Sequence, residues 1–117
     1  TIFLYEDYAV YHIIETCYNN GDLKKYYHPS LVKLIEYDKQ NNTLFAHTLS
    51  TYICKSKNLA NTANALHIHR NTLLYRIEKI NEIMDVDLDN INIVLQLHLS
   101  FKILDYEKIN LENTSST

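Results

Sequence analysis

Glycine and proline, the sharpest punctuators of a backbone, occur once each in 117 residues. A chain so poor in them lacks the tight turns that an all-β sandwich needs, which leaves long helices joined by polar connections. Hydrophobic residues make up 46% and charged residues 21% of the sequence, a balance that can fill a core and excludes a disordered chain. The expected fold is therefore all-α, a single compact helical domain of about five to six helices. No apolar run is long enough to span a bilayer and no leader pattern opens the chain, so a cytoplasmic protein with no membrane partner is expected.

Hydrophobic spacing places the helices. Thr1 to Tyr5 is a short apolar, β-branched run that fits a strand, a linker or the end of a preceding domain. From Glu6, the positions Val10, Ile13, Ile14 and Cys17 form a helical stripe that Gly21 should stop. Asp22 can cap a brief turn to Tyr27, and Pro29 suits the first position of a helix carrying Leu31, Leu34 and Ile35. Asn42 or Thr43 can cap the next helix, whose Phe45, Leu49, Tyr52 and Ile53 point one way. Asn58 is the expected N-cap of a short helix to Leu66, and Asp89 or Asn90 that of a last helix to about Leu104. Within that last segment Ile91, Ile93, Leu95, Leu97, Leu99, Phe101 and Ile103 alternate as in a half-buried strand. A strand of that length exceeds the usual range, however, and Val94, Leu97, Phe101 and Leu104 also share a helical face, so helix is expected. The tail from Asn113 to Thr117 is expected to fray. Cys17 and Cys54 both fall in apolar helical patterns and are expected as buried thiols.

The stretch from Asn58 to Ile80 carries the function. It predicts two helices joined by a tight turn, and the second, from about His69 to Met84, has two different faces. Leu73, Ile77, Ile80 and Met84 recur at helical spacing and form an apolar stripe, while Thr72, Tyr75, Arg76 and Lys79 recur on the side turned away from it. That pairing is the requirement of a helix-turn-helix. Ala63 is small enough for the helices to cross closely, Leu59, Leu66 and Ile68 complete the contact, and the second helix is presented as a rigid probe. His69, Arg70, Asn71 and Thr72 would enter the major groove of double-stranded DNA. There Arg70 or Arg76 can bond guanine twice and Asn71 can do so with adenine, each pair worth about 1–3 kcal/mol of discrimination. Thr62, Tyr75, Lys79 and Lys55 or Lys57 are expected to grip phosphates. The net charge of −3 hides the distribution that matters. Between residues 55 and 80, Lys55, Lys57, Arg70, Arg76 and Lys79 stand against Glu78 alone, and both flanks are acidic. Weak, strongly salt-dependent binding by a single copy follows.

The run Leu59-x-x-Thr62-Ala63-x-Ala65-Leu66-His67-Ile68-His69-Arg70-Asn71-Thr72-Leu73-x-Tyr75-Arg76-Ile77 closely resembles the C-terminal helix-turn-helix of the PucR/CdaR family of bacterial transcription regulators. The likeness extends to Ile2-Phe3-Leu4-Tyr5-Glu6-Asp7-x-Ala9-Val10-Tyr11, to Leu34-Ile35-Glu36-Tyr37-Asp38, to Asp87-Leu88-Asp89 and to Leu97-His98-Leu99, and so covers nearly the whole chain. Ala9 stands where the family commonly has Gly, and His69 makes a weaker helix start than a Ser-like cap. The resemblance implies a C-terminal effector fragment of a longer regulator, an effector bound by an N-terminal domain, and action as a homodimer. Residues 1–57 would then be a helical support region, 58–84 the helix-turn-helix, and 85–117 a closing helix and tail.

Other chemistries fit poorly. His67 and His69, two apart on a turn, do not converge on one ion and have no Cys or carboxylate at ligand spacing. His12 and His98 read as ordinary surface or partly buried residues. Most of the ten tyrosines lie outside the basic region and suit packing rather than base stacking. Asp87 and Asp89 read as a turn and cap. With no phosphate loop and no nucleophile elbow, neither an enzyme nor a cofactor is expected. The alternative is a helical interaction or dimerisation module that keeps the motif geometry without binding DNA.

Overall fold

From the second α-helix onward, the start of each is marked by a side chain that accepts an orphan N–H, as the computed structural model shows. It describes residues 5–21 and 23–115, and side-chain surroundings for 8–21 and 25–108. The helices are α1 (Tyr5–Asn20), α2 (Pro29–Asn41), α3 (Phe45–Cys54), α4 (Leu59–Leu66), α5 (Arg70–Met84) and α6 (Ile91–Ser115), with a 3-10 turn at Leu23–Tyr26, and no strand occurs among the described residues. The expected Asp22 cap lies outside them, as does the Thr1 to Tyr5 run except for Tyr5, which is the first residue of α1.

Asn58 Oδ1 accepts the N–H of Asn61 at 2.8 Å and opens α4, and Asn90 Oδ1 accepts that of Asn92 at 2.9 Å and opens α6. Two histidines serve the same end. Nδ1 of His28 accepts from Ser30 at 3.1 Å ahead of Pro29, and Nδ1 of His69 accepts from Asn71 at 3.0 Å, so His69 is an operating cap despite its poor ranking.

The start of α3 departs from expectation. Neither Asn42 nor Thr43 caps it. Asn42 is instead the left-handed C-cap of α2, and Leu44, at the N-cap position of α3, has no side-chain oxygen to offer. Asp38 reaches across from α2, its carboxylate accepting from Phe45 N–H at 2.9 Å, Ala46 N–H at 2.8 Å and the Thr43 hydroxyl at 2.5 Å. A helix start is thereby fixed by a residue of the preceding helix, which also locks the α2–α3 angle.

Scarcity of glycine has a second consequence at the helix ends. Asn42, Ser56, Lys57, His67 and Asp85 all adopt positive φ, whereas Gly21 does not. Asn and Asp visit this region with least strain, but for other L-residues it costs roughly 1–2 kcal/mol. At His67 (φ 58°, ψ 41°) the conformation closes the turn between α4 and α5, with Ile68 N–H bonded to Ala63 O at 3.0 Å.

The main core joins Leu31 and Leu34 of α2, Phe45, Leu49 and Ile53 of α3, Ile80 and Met84 of α5, Leu88, and Leu97 and Phe101 of α6. Ile14 of α1 with Ile103 and Tyr106 of α6 forms a second cluster, where the Tyr106 ring meets those of Tyr11 and Tyr18 edge-on. Because α6 serves both clusters, it is apolar on more than one side, and that is the origin of its strand-like alternation. It also runs well past Leu104, to Ser115. The buried Ser100 ties it to α2, its hydroxyl accepting His28 N–H at 3.1 Å and donating to Gln96 O at 2.8 Å.

Two expectations of burial are corrected. Of the α1 stripe only Ile14 is buried, Val10 and Ile13 being exposed and Cys17 half-buried, since α1 packs chiefly on α6 alone. Cys54, the last residue of α3, is exposed.

Removing the shared cap with Asp38→Ala should lower stability by about 1–3 kcal/mol, read as a lower urea midpoint, with Asp38→Asn recovering part of the loss. His67→Gly should relieve the left-handed strain and raise stability by up to about 1 kcal/mol in the same measurement, since glycine meets no Cβ penalty there.

Candidate nucleic-acid interface

α5 is held by what it buries. Leu73 and Ile80 of α5 are 0% exposed and Met84 1%. They pack α5 against α2, α3 and α4, with the buried Ala63 allowing α4 to approach. At 3.6 residues per turn, the ridge diametrically opposite that stripe is Asn71, Tyr75, Glu78 and Glu82. Both properties come from a single register.

Most of the residues singled out from sequence fall on the open side of this helix. Arg70, Asn71, Thr72 and Tyr75 are exposed, as is the capping His69. Arg76 and Lys79 lie on the flank, half-exposed, and Lys79 Nζ stands 3.6 Å from Glu82 one turn on. At that exposure the ion pair is weak and leaves Lys79 available to a phosphate.

Thr62 does not join them. Its side chain is 0% exposed and its hydroxyl donates to Asn58 O at 2.7 Å, so the expectation that it grips phosphate is corrected. A threonine in the helix interior can satisfy its hydroxyl on the preceding turn and bury its methyl, and here the crossing of α4 and α5 favours that choice. Lys57 is committed as well. Its Nζ donates to Leu88 O at 2.9 Å and lies 3.6 Å from Asp89, tying the α3–α4 turn to the α5–α6 turn.

Other groups take their place. Lys55, Asn61, Asn64, Ala65 and His67 line an open polar depression beside α4. Asn61 and Asn64 are both exposed and spaced one turn apart, a signal present in the sequence but overshadowed by the neighbouring threonine. Leu74 is a second addition, 43% exposed beside Tyr75 on α5.

Charge gives the interface a direction. His69, Arg70 and Asn71 surround the N-terminal end of α5, where unpaired N–H groups and the helix dipole favour an anion, while Glu78 and Glu82 make the later turns of the outward ridge acidic. Polyanion contact is therefore favoured at the first two turns. The perturbed titrations lie elsewhere. Burial, with Lys102 nearby, pushes His98 of α6 below the usual histidine value, and burial, with Asp89 nearby, pushes Tyr52 of α3 above that of a free phenol. Among the described residues no cluster of His, Cys, Asp or Glu could hold a metal ion, and no helix is long and apolar enough to cross a membrane.

Comparison with known proteins agrees with this geometry. Residues 45–103 match the PucR C-terminal helix-turn-helix domain. The chain is 28% identical to the DNA-binding transcriptional activator AdeR of Bacillus subtilis over 87% of its own length and 24% of the relative's. It is 36% identical to the purine catabolism regulatory protein of the same organism over 69% of the chain and 15% of that protein. With the carbohydrate diacid regulator of Escherichia coli the identity is 38%, over 58% of the chain and 17% of the relative. The chain thus spans at most about a quarter of these relatives' length. No solved structure matches it. An exposed polar helix face braced by a buried one, on a chain with these relatives, has one assignment: the protein belongs to the PucR C-terminal helix-turn-helix family, the DNA-binding part of transcription regulators.

Proposed function

We propose that this domain selects a specific duplex sequence by laying the N-terminal half of α5 in the major groove, and so directs a longer regulator to its promoters. The observation that carries this reading is the pairing, on one helix, of the exposed face His69, Arg70, Asn71, Thr72 and Tyr75 with Leu73 and Ile80 buried without residue. Arg70 and Asn71 supply base contacts. Tyr75, Arg76 and Lys79, with Lys55, Asn61 and Asn64 beside α4, hold phosphates and set the angle of entry. Relatives whose names refer to purine catabolism and to a carbohydrate diacid share this part of the chain, which supports placing the effector on an N-terminal domain of the longer regulator. Such a regulator acts in the cytoplasm, where its DNA is, and performs no catalysis of its own.

A homodimer on paired half-sites completes the reading. Ile91, Leu95 and Leu99 form an apolar stripe on the outside of α6, with Ile91 at 80% and Leu95 at 64% exposure. The stripe is self-complementary. Two α6 helices laid antiparallel about Leu95 set Ile91 against the partner's Leu99 and bring Lys102 to the end of α6 where the partner's Asp87 and Asp89 stand. An isologous contact of matched charge follows.

Asn71→Ala should cost about 1–3 kcal/mol of affinity for the preferred sequence and relax selectivity at one base pair, whereas Lys79→Ala should weaken all sequences alike and lower the salt slope by about one. Anisotropy titrations on a fragment selected from random duplex DNA measure both, and unchanged binding by both variants overturns the reading. Leu95→Glu should shift sedimentation toward the monomer without loss of helicity. Equal sedimentation of the two proteins overturns the α6 contact.

A further inference from the structure

Leu74 is anomalous on a helix face otherwise built for hydrogen bonds. It and Tyr75 are the two large apolar side chains of α5 that are exposed, at 43% and 58%. Leu74 lies one turn from Arg70 and from Asn71, on the turns where the positive end of the dipole and the absence of acidic groups favour DNA. A leucine has nothing to offer a phosphate or a base-edge heteroatom. The groove presents one apolar group to such a side chain, the C5-methyl of thymine.

We propose that Leu74 reads a thymine methyl in the preferred site, next to the base pair that Asn71 contacts. This rests on the proposed insertion of α5 and adds to it a sequence requirement. Side chains three apart on a helix are about 5–6 Å apart, which spans neighbouring base pairs stacked at about 3.4 Å. Asn71 is suited to adenine and Leu74 to thymine, so each half-site contains adjacent or nearly adjacent A·T pairs. The contact carries no charge and belongs to selectivity alone.

Deoxyuridine differs from thymidine only by that methyl and isolates the contact. A preferred duplex is first selected from a random pool by the purified chain, and each thymine is then replaced in turn by uracil. At one position the replacement should weaken the wild type about fourfold, the equivalent of one methyl group withheld from burial, while Leu74→Ala binds both duplexes equally with an unchanged salt slope. The thermal unfolding of Leu74→Ala should match the wild type, because the side chain lies outside both core clusters. A selected site indifferent to uracil at every position overturns this inference alone, as does a uracil penalty that persists in Leu74→Ala. A pool from which nothing is enriched overturns the insertion of α5 and this contact with it.

Discussion

Everything functional in this domain depends on the burial of one stripe of α5. Leu73, Ile80 and Met84 are removed from water almost completely, and each such side chain contributes roughly 1.5–3 kcal/mol relative to exposure. That energy also sets orientation. Rotating α5 by one residue, about 100°, would drive polar groups inward and turn leucine and isoleucine outward, so the face bearing Asn71 and Tyr75 is held outward by the cost of every alternative. A groove-reading helix needs this rigidity, since misplaced donors lose their base contacts.

The support for α5 is spread across the chain. Asp38 starts α3 from within α2, Ser100 bonds the backbone ahead of α2 from α6, and Lys57 fastens the turn before α4 to the turn before α6. The first joins consecutive helices and the other two join elements distant in sequence, each through hydrogen bonds of one polar group, so the connections orient helices more sharply than apolar contact alone. Turns without glycine follow the same logic. Among the described residues, five non-glycine positions at positive φ are tolerated because packing on either side outweighs their strain.

α6 shows how a misleading local pattern arises. Alternation from Ile91 to Ile103 has the period of a strand, yet it results from a helix that meets the main core through Leu97 and Phe101, meets α1 through Ile103 and Tyr106, and leaves Ile91, Leu95 and Leu99 outside. Length resolved the ambiguity in favour of helix. The number of neighbours that α6 has was hidden, because periodicity reports which positions are apolar and not how many partners share them.

By itself the sequence determined the all-helical class, the cap at Asn58, a cap at Asp89 or Asn90 for the last helix, the inward stripe of α5 and the exposed set His69, Arg70, Asn71, Thr72 and Tyr75. All of these follow from spacing and from side chains acting on their own backbone, over distances of a turn or less. Only the tertiary structure decided that Thr62 turns inward, that Lys57 is occupied, that Asp38 displaces Asn42 and Thr43 as the cap of α3, and that Cys54 and Ile13 face outward. Cys54 and Ile13 are outside because no helix among the described residues covers them, whereas for Thr62, Lys57 and Asp38 the physical reason is a common one. A hydroxyl, an ammonium or a carboxylate has several partners of similar strength within reach, and which one wins depends on where the other helices come to rest.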